Sequence, residues 1–166
     1  MADTPTLLPL LEILWHSPEF YEIRLARGTL DFMPGDCVAL QLPSGKSRPY
    51  SIASGPTDPW LAFLLRRMPG GGLSDHLCQV PLGTLISVSP PFGWFRPAAG
   101  DWPRVFLATS TGIAPFLSVV RAGICPPPLA CFYGVRQRQD ALYARYLAER
   151  WPLTVALSRE TSPLQA

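Results

Sequence analysis

The chain has 166 residues, 48% of them hydrophobic and 16% charged, which supplies a sizeable core and excludes a disordered chain. Fourteen basic and twelve acidic residues leave a net charge of +2, too weak a field for nucleic acid to be the main partner. No run reaches the ~18 apolar residues that a membrane helix needs, and residues 7–14 hold Pro9 and Glu12 without a basic start, so they do not read as a signal peptide.

The first hundred residues read as β structure. Short apolar or alternating segments at 8–15, 21–26, 37–42, 48–54, 60–67 and 84–89 are separated by Pro, Gly, Ser and Asp. Met33-Pro34-Gly35-Asp36 and Pro81-Leu82-Gly83-Thr84 are turns, each feeding a strand. One helix is predicted here, over 73–80, with Ser74 and Asp75 as capping candidates. Six strands and one helix predict a small antiparallel barrel. The Pro- and Gly-rich stretch 90–101 then marks a change of pattern. An apolar strand over 104–109 is followed by a helix over 113–121 with Pro115 in its first turn. A second strand is expected over 129–135 and a third over 153–158. Between them, 138–150 reads as one amphipathic helix, with Leu142 and Tyr146, and Ala141 and Arg145, at helical spacing. That alternation predicts the first half of a parallel doubly wound α/β sheet. The expected organisation is a barrel domain over 1–100 and a partial α/β nucleotide-binding domain over 101–166.

Cys37, Cys78, Cys125 and Cys131 are scattered, with no Cys-x-x-Cys and no iron–sulfur spacing. They read as small buried thiols in a reducing cytoplasm, in preference to a disulfide pair or a metal site. His16 and His76 are too far apart for a metal cluster, and no metal is expected.

Three runs carry chemistry. Arg48-Pro49-Tyr50-Ser51 offers a cation, an aromatic plane and a hydroxyl on one strand, with Arg48 and Tyr50 on the same face and Ser51 on the other. Pro69-Gly70-Gly71-Gly72-Leu73-Ser74 is a glycine turn leading into a helix, whose first amides are unpaired and can hold a phosphate. Ala108-Thr109-Ser110-Thr111-Gly112-Ile113-Ala114-Pro115 repeats that arrangement after a strand, without the Gly-x-Gly-x-x-Gly fingerprint. Each run alone is also what an ordinary strand or turn looks like. As a set they suit a large, planar, anionic cofactor followed by a second nucleotide. Arg24, by contrast, lies on an early strand with no motif around it.

Together the runs resemble the ferredoxin–NADP reductase superfamily, whose members carry Arg-x-Tyr-Ser ahead of a Gly-x-x-Ser turn. Arg48-Pro49-Tyr50-Ser51 and Gly71-Gly72-Leu73-Ser74 match these, and Thr109-Ser110-Thr111-Gly112-Ile113-Ala114-Pro115 resembles the family's Gly-Thr-Gly-Ile-Ala-Pro turn, with Ser110 where Gly is more usual. Tyr133-Gly134-Val135-Arg136 and Ser158-Arg159-Glu160 resemble the next units. The resemblance covers nearly the whole chain. It implies that Arg48, Pro49, Tyr50, Ser51, Leu64, Leu65, Arg66, Gly71, Gly72, Leu73 and Ser74 bind FAD, with Ser51 near the reactive N5. It implies that Thr111, Gly112, Val135 and Arg136 contact a pyridine dinucleotide, and that Ser158 and Arg159 hold the 2′-phosphate of NADP(H). Arg at a strand end selects phosphate where an acidic residue would select a free ribose hydroxyl.

The activity implied is that of a flavoprotein oxidoreductase. It would pass electrons between NADPH and a separate one-electron protein carrier, such as a ferredoxin or flavodoxin, or another acceptor. Family members continue for roughly another half-domain, with a Cys-Gly-x-x-Met-like motif beside the nicotinamide. No such motif occurs before Ala166. The third parallel strand is therefore expected to be an open edge, and the nicotinamide side to lack a wall. An alternative is a non-catalytic or partner-completed flavin-binding electron-transfer module without a full NADP site. A third reading, a barrel-based interaction protein without cofactor, is opposed by Arg48, Tyr50, Ser51 and Ser74.

Overall fold

A computed structural model describes residues 4–42, 45–93, 95–97, 100 and 102–160. The expected boundary at 100/101 borders undescribed Asp101, and residues 161–166 also lie outside the described residues. Six strands form one antiparallel sheet: β1 (Thr6–Trp15), β2 (Phe20–Ala26), β3 (Cys37–Gln41), β4 (Ser47–Ser51), β5 (Trp60–Arg66) and β6 (Leu85–Val88). Their order is β4-β3-β6-β1-β2-β5. Alternate residues point to one side of a strand. Val38 and Leu40 of β3, Tyr21, Ile23 and Leu25 of β2, and Leu61, Phe63 and Leu65 of β5 therefore meet in one core. β2 and β5 are buried on both faces, because Phe20, Ala62 and Leu64 point outward into a second core. This is why β5 reads as a continuous apolar run.

The sheet is barrel-like but not closed. Its terminal strands β4 and β5 share no ladder, and Pro49, which has no N–H to donate, sits in edge strand β4. The expected six-stranded antiparallel barrel is present as an open one, with a seam between β4 and β5.

The second sheet is parallel, in the order β7 (Val105–Thr109), β8 (Ala130–Val135), β9 (Leu153–Leu157). α2 (Ala114–Ala122) and α3 (Ala144–Ala148) bury Phe116, Leu117 and Leu147 with Phe106, Ala108, Cys131 and Tyr133. Both strand–helix–strand connections step the same way across the sheet, so right-handed crossovers put both helices on one face. The opposite face is uncovered among the described residues: Leu107 is 71% exposed and Val105 50%.

Two helices differ from expectation. α1 covers only Leu73–Leu77 of the predicted 73–80. The predicted helix over 138–150 is two pieces, a 3-10 turn Arg138–Asp140 and α3, parted by Tyr143 at φ 57°. A hydrogen bond from Tyr143 to Glu22 of the first sheet holds the side chain there, and a tertiary contact overrides the local period. The helix expected from 113 is preceded by a 3-10 turn, Ser110–Ile113, and ends on Gly123 in the left-handed conformation.

The two sheets share packing. Phe20, Ala53, Ala62 and Leu64 of the first half lie in the same core as α2 and β8. Arg121 of α2 donates a hydrogen bond to the carbonyl of Ala53, 2.7 Å away. No helix among the described residues is long and apolar enough to cross a membrane.

Candidate cofactor site

The seam between β4 and β5 opens into a cavity of about 560 Å³. Arg48, Pro49 and Tyr50 line one wall and Leu64, Leu65 and Arg66 the other; Gly72, Leu73 and Ser74 form one end, and Thr111 reaches in from the second sheet. Two unpaired sheet edges, with apolar residues between them and cations at the rim, make a slot for a flat anion. Tyr50 packs against the barrel core, and burial pushes its phenol pKa up while Arg48 beside it pulls the other way. It presents a neutral aromatic plane.

The glycine turn is built to stay open. Gly70 (φ 117°) and Gly71 (φ 79°) occupy left-handed backbone that other residues avoid. A Cβ on Gly70 or Gly71 would meet nothing within 4 Å, so conformation, not crowding, requires glycine at these two positions. The turn is tied on three sides. The Asp75 carboxylate accepts from the Gly71 N–H (3.2 Å) and from Arg67 Nε (2.8 Å). Ser74 Oγ accepts from the Met68 N–H (3.2 Å), and the Tyr21 hydroxyl donates to the Ser74 carbonyl (2.5 Å). Lys46 Nζ donates to the Gly71 carbonyl (3.1 Å). The first helical bonds come from the Asp75 and His76 amides to Gly72, so the Leu73 and Ser74 amides take no part in the ladder. Arg67 holds Asp75 below the ordinary carboxylate range, chiefly through their hydrogen bond, with the Gly71 amide adding to it.

A second cavity of about 390 Å³ lies at the carboxyl ends of the parallel strands, where open α/β sheets take ligands. Thr109 and Ser110 end β7, Gly134, Val135 and Arg136 end β8, and Ala156, Leu157 and Ser158 end β9. Phe20 and Arg66 of the first sheet and Asp140 complete it. Arg66 therefore borders both cavities. Ser110 sits at φ 50° in the turn where a glycine was expected, and its carbonyl accepts from the Tyr133 hydroxyl (3.1 Å).

Most of the expected residues line one of the two cavities, with these differences. Thr111 borders the seam cavity, not the dinucleotide one, and Gly112 borders neither. Ser51 is half-buried in β4 opposite Cys37, on the face away from Tyr50, and lines neither cavity. Gly71 supplies turn geometry and a carbonyl for Lys46. Ser158 borders the second cavity. Arg159 is exposed beside it, with its amide bonded to the Arg136 carbonyl at 2.9 Å. Lys46, Met68, Phe20 and Asp140 were not anticipated; no local motif marks them, because tertiary packing brings them in. Among the described residues, Lys46 and Arg48 at the first cavity and Arg136 at the second have no carboxylate partner, whereas Arg24, Arg27, Arg66, Arg67 and Arg96 each have at least one. The four cysteines are free, and no group of three or more metal-binding side chains occurs among the described residues.

Residues 12–96 match the family model "Oxidoreductase FAD-binding domain", just over half of the chain. The chain is 32% identical over 158 residues to the ferredoxin–NAD(P)(+) reductase component of a naphthalene 1,2-dioxygenase system from Pseudomonas putida, covering 90% of this chain and 48% of that protein. It is 33% identical over 136 residues to methane monooxygenase component C from Methylosinus trichosporium, covering 76% and 40%. The chain thus spans less than half the length of these relatives. Its fold superposes on a ferredoxin NADP+ reductase from Neisseria gonorrhoeae solved with bound FAD and NADP, with a TM-score of 0.83 at 20% identity, covering 96% of this chain and 71% of that one. Phthalate dioxygenase reductase, described as a modular structure for electron transfer from pyridine nucleotides to [2Fe-2S], gives a TM-score of 0.82 at 18% identity and covers 98% and 54%. The matched segment contains both walls of the seam, β4 and β5, and the glycine turn, and the chain belongs to the oxidoreductase FAD-binding domain family of the ferredoxin–NADP reductase superfamily.

Proposed function

We propose that this chain binds FAD in the seam and takes electrons from NADPH bound at the carboxyl ends of β7, β8 and β9, for delivery to a separate one-electron carrier such as a ferredoxin or flavodoxin. One observation carries the reading. Two cavities, the first bordered by Lys46 and Arg48 and the second by Arg136, share Arg66. The donor set suits a dinucleotide: Arg48 and Lys46 supply positive charge, the Leu73 and Ser74 amides after the glycine turn lie outside the helical ladder, and Tyr50 supplies a stacking plane. When bound, FAD accepts a hydride and releases electrons singly. The residues of the chain position and neutralise it. Arg66, held by Glu19 at 2.7 Å, stands at the junction where donor and acceptor rings would meet. Ser51 is kept as the candidate hydroxyl near N5, acting through the β4 edge. Ser158 and Arg159 would receive the 2′-phosphate. The organisation proposed is a FAD domain over 1–100 and a nucleotide unit over 101–166. The relatives quoted above, reductase components of oxygenase systems, support an iron–sulfur protein as the acceptor.

The cofactor test is direct. Heat-released flavin should chromatograph as FAD, because two phosphate-binding elements, Arg48 and the glycine turn, exceed what one phosphate needs. Recovery of FMN alone would refute the assignment. A second reading, a flavin module whose nucleotide unit is completed by another polypeptide segment, is favoured by the uncovered face of the β7–β9 sheet.

A further inference from the structure

Two carboxylates are buried where the sheets meet, Glu22 at 0% and Asp140 at 6% exposure. Both are bonded across the junction. Ser17 Oγ donates to Asp140 Oδ1 (3.2 Å). The Tyr143 hydroxyl donates to Glu22 Oε2 (2.5 Å), while Arg24 Nε serves the other oxygen (2.7 Å). The His16 ring lies against Tyr143 at 5.4 Å. Apart from the Arg24–Glu22 pair, which lies within β2, these contacts join one loop, 136–143, to one hairpin, the β1–β2 turn and the start of β2. Tyr143 adopts φ 57° to make them, a conformation that persists only where surrounding contacts over-determine it. The same hairpin reaches both cavities. Glu19 grips Arg66, and Phe20 lies under the guanidinium at 5.8 Å.

We infer that Asp140 and Tyr143 are positioning residues, clamping the β1–β2 hairpin so that Glu19 and Phe20 fix Arg66 between the two cavities. The inference rests on the proposed reading only in taking those cavities for the flavin and its electron donor. Removing the Tyr143 hydroxyl takes that donor from Glu22 Oε2, leaving the carboxylate with Arg24 on its other oxygen and the His16 ring 3.9 Å away. The hairpin would loosen without emptying the seam.

The test compares Tyr143→Phe and Asp140→Asn with Ile86→Val, which trims the barrel core far from the clamp. Amide hydrogen exchange over residues 16–22 should quicken about tenfold in the two clamp variants, the consequence of one lost buried hydrogen bond. The limiting rate of flavin reduction by NADPH should fall about tenfold or more, as small misplacements do, while the FAD dissociation constant stays within about threefold. Ile86→Val should lower thermal stability and move neither exchange nor rate. Unchanged exchange and rate in Tyr143→Phe would overturn the clamp, and so would equal changes in Ile86→Val. If the wild-type protein is not reduced by NADPH, the hydride reading fails, and the exchange comparison alone decides the clamp. If Asp140→Asn does not fold, Tyr143→Phe, which loses one oxygen, carries the test.

Discussion

Arg48 borders the seam and spends its only hydrogen bond among the described residues on the carbonyl of Ser47, 3.0 Å away. Its charge is available to a ligand. Arg48→Ala should weaken FAD binding about tenfold to a hundredfold, the worth of one charge-assisted contact. Arg145, whose side chain is 95% exposed and paired only with Glu149 one helical turn away, is the matched control. Equal flavin affinity in the two variants would remove Arg48 from the site. Arg24 would be a poor control. It lies on a strand with no motif, yet its guanidinium neutralises Glu22, a carboxylate with no exposure at all. Exposed Arg159 lies just beyond the end of the third parallel strand. Arg159→Ala should raise the Michaelis constant for NADPH and leave that for NADH nearly unchanged. A wild-type protein that prefers NADH would contradict the assignment.

Among the elements, the glycine turn and α1 depend on Asp75. Its folded pKa lies below the ordinary value of 3.8, owing first to the Arg67 hydrogen bond and then to the Gly71 amide. A depressed pKa gives stability that is complete above the unfolded value and is lost as pH falls through the folded one. The turn is therefore at full strength at neutral pH. Asp75→Asn should retain flavin less well than wild type at pH 7, and the two proteins should converge only once the pH has fallen through the depressed folded value, which lies below 3.8. Fluorescence of released flavin across that range checks this, and curves that stay apart in acid would refute it. The elements were largely legible in advance. All six antiparallel strands and all three parallel ones follow from period-2 alternation, apolar runs and Pro/Gly punctuation, to within a few residues at the ends. The glycine turn was legible because left-handed backbone leaves a mark in composition. The break at Tyr143 was not, since the residues over 138–150 keep a helical period and only the distant Glu22 diverts the chain.

For the whole molecule, the two halves form a continuous unit, with Phe20, Ala53, Ala62 and Leu64 packed into the core of the parallel sheet. The motifs named the seam walls, but not the residues that arrive by packing: Lys46 and Met68 at the seam, Phe20 and Asp140 at the second cavity. Ser51 shows the reverse case, a motif residue that strand alternation turns away from both cavities. Among the described residues, one face of the parallel sheet is open to solvent, with Leu107, Phe132 and Val105 on it. The most direct measurement is anaerobic mixing of the FAD-loaded protein with saturating NADPH in a stopped-flow spectrophotometer. The account predicts that the flavin absorbance bleaches, at a rate slower than its reoxidation by a good one-electron acceptor. A flavin that stays fully oxidised would contradict it.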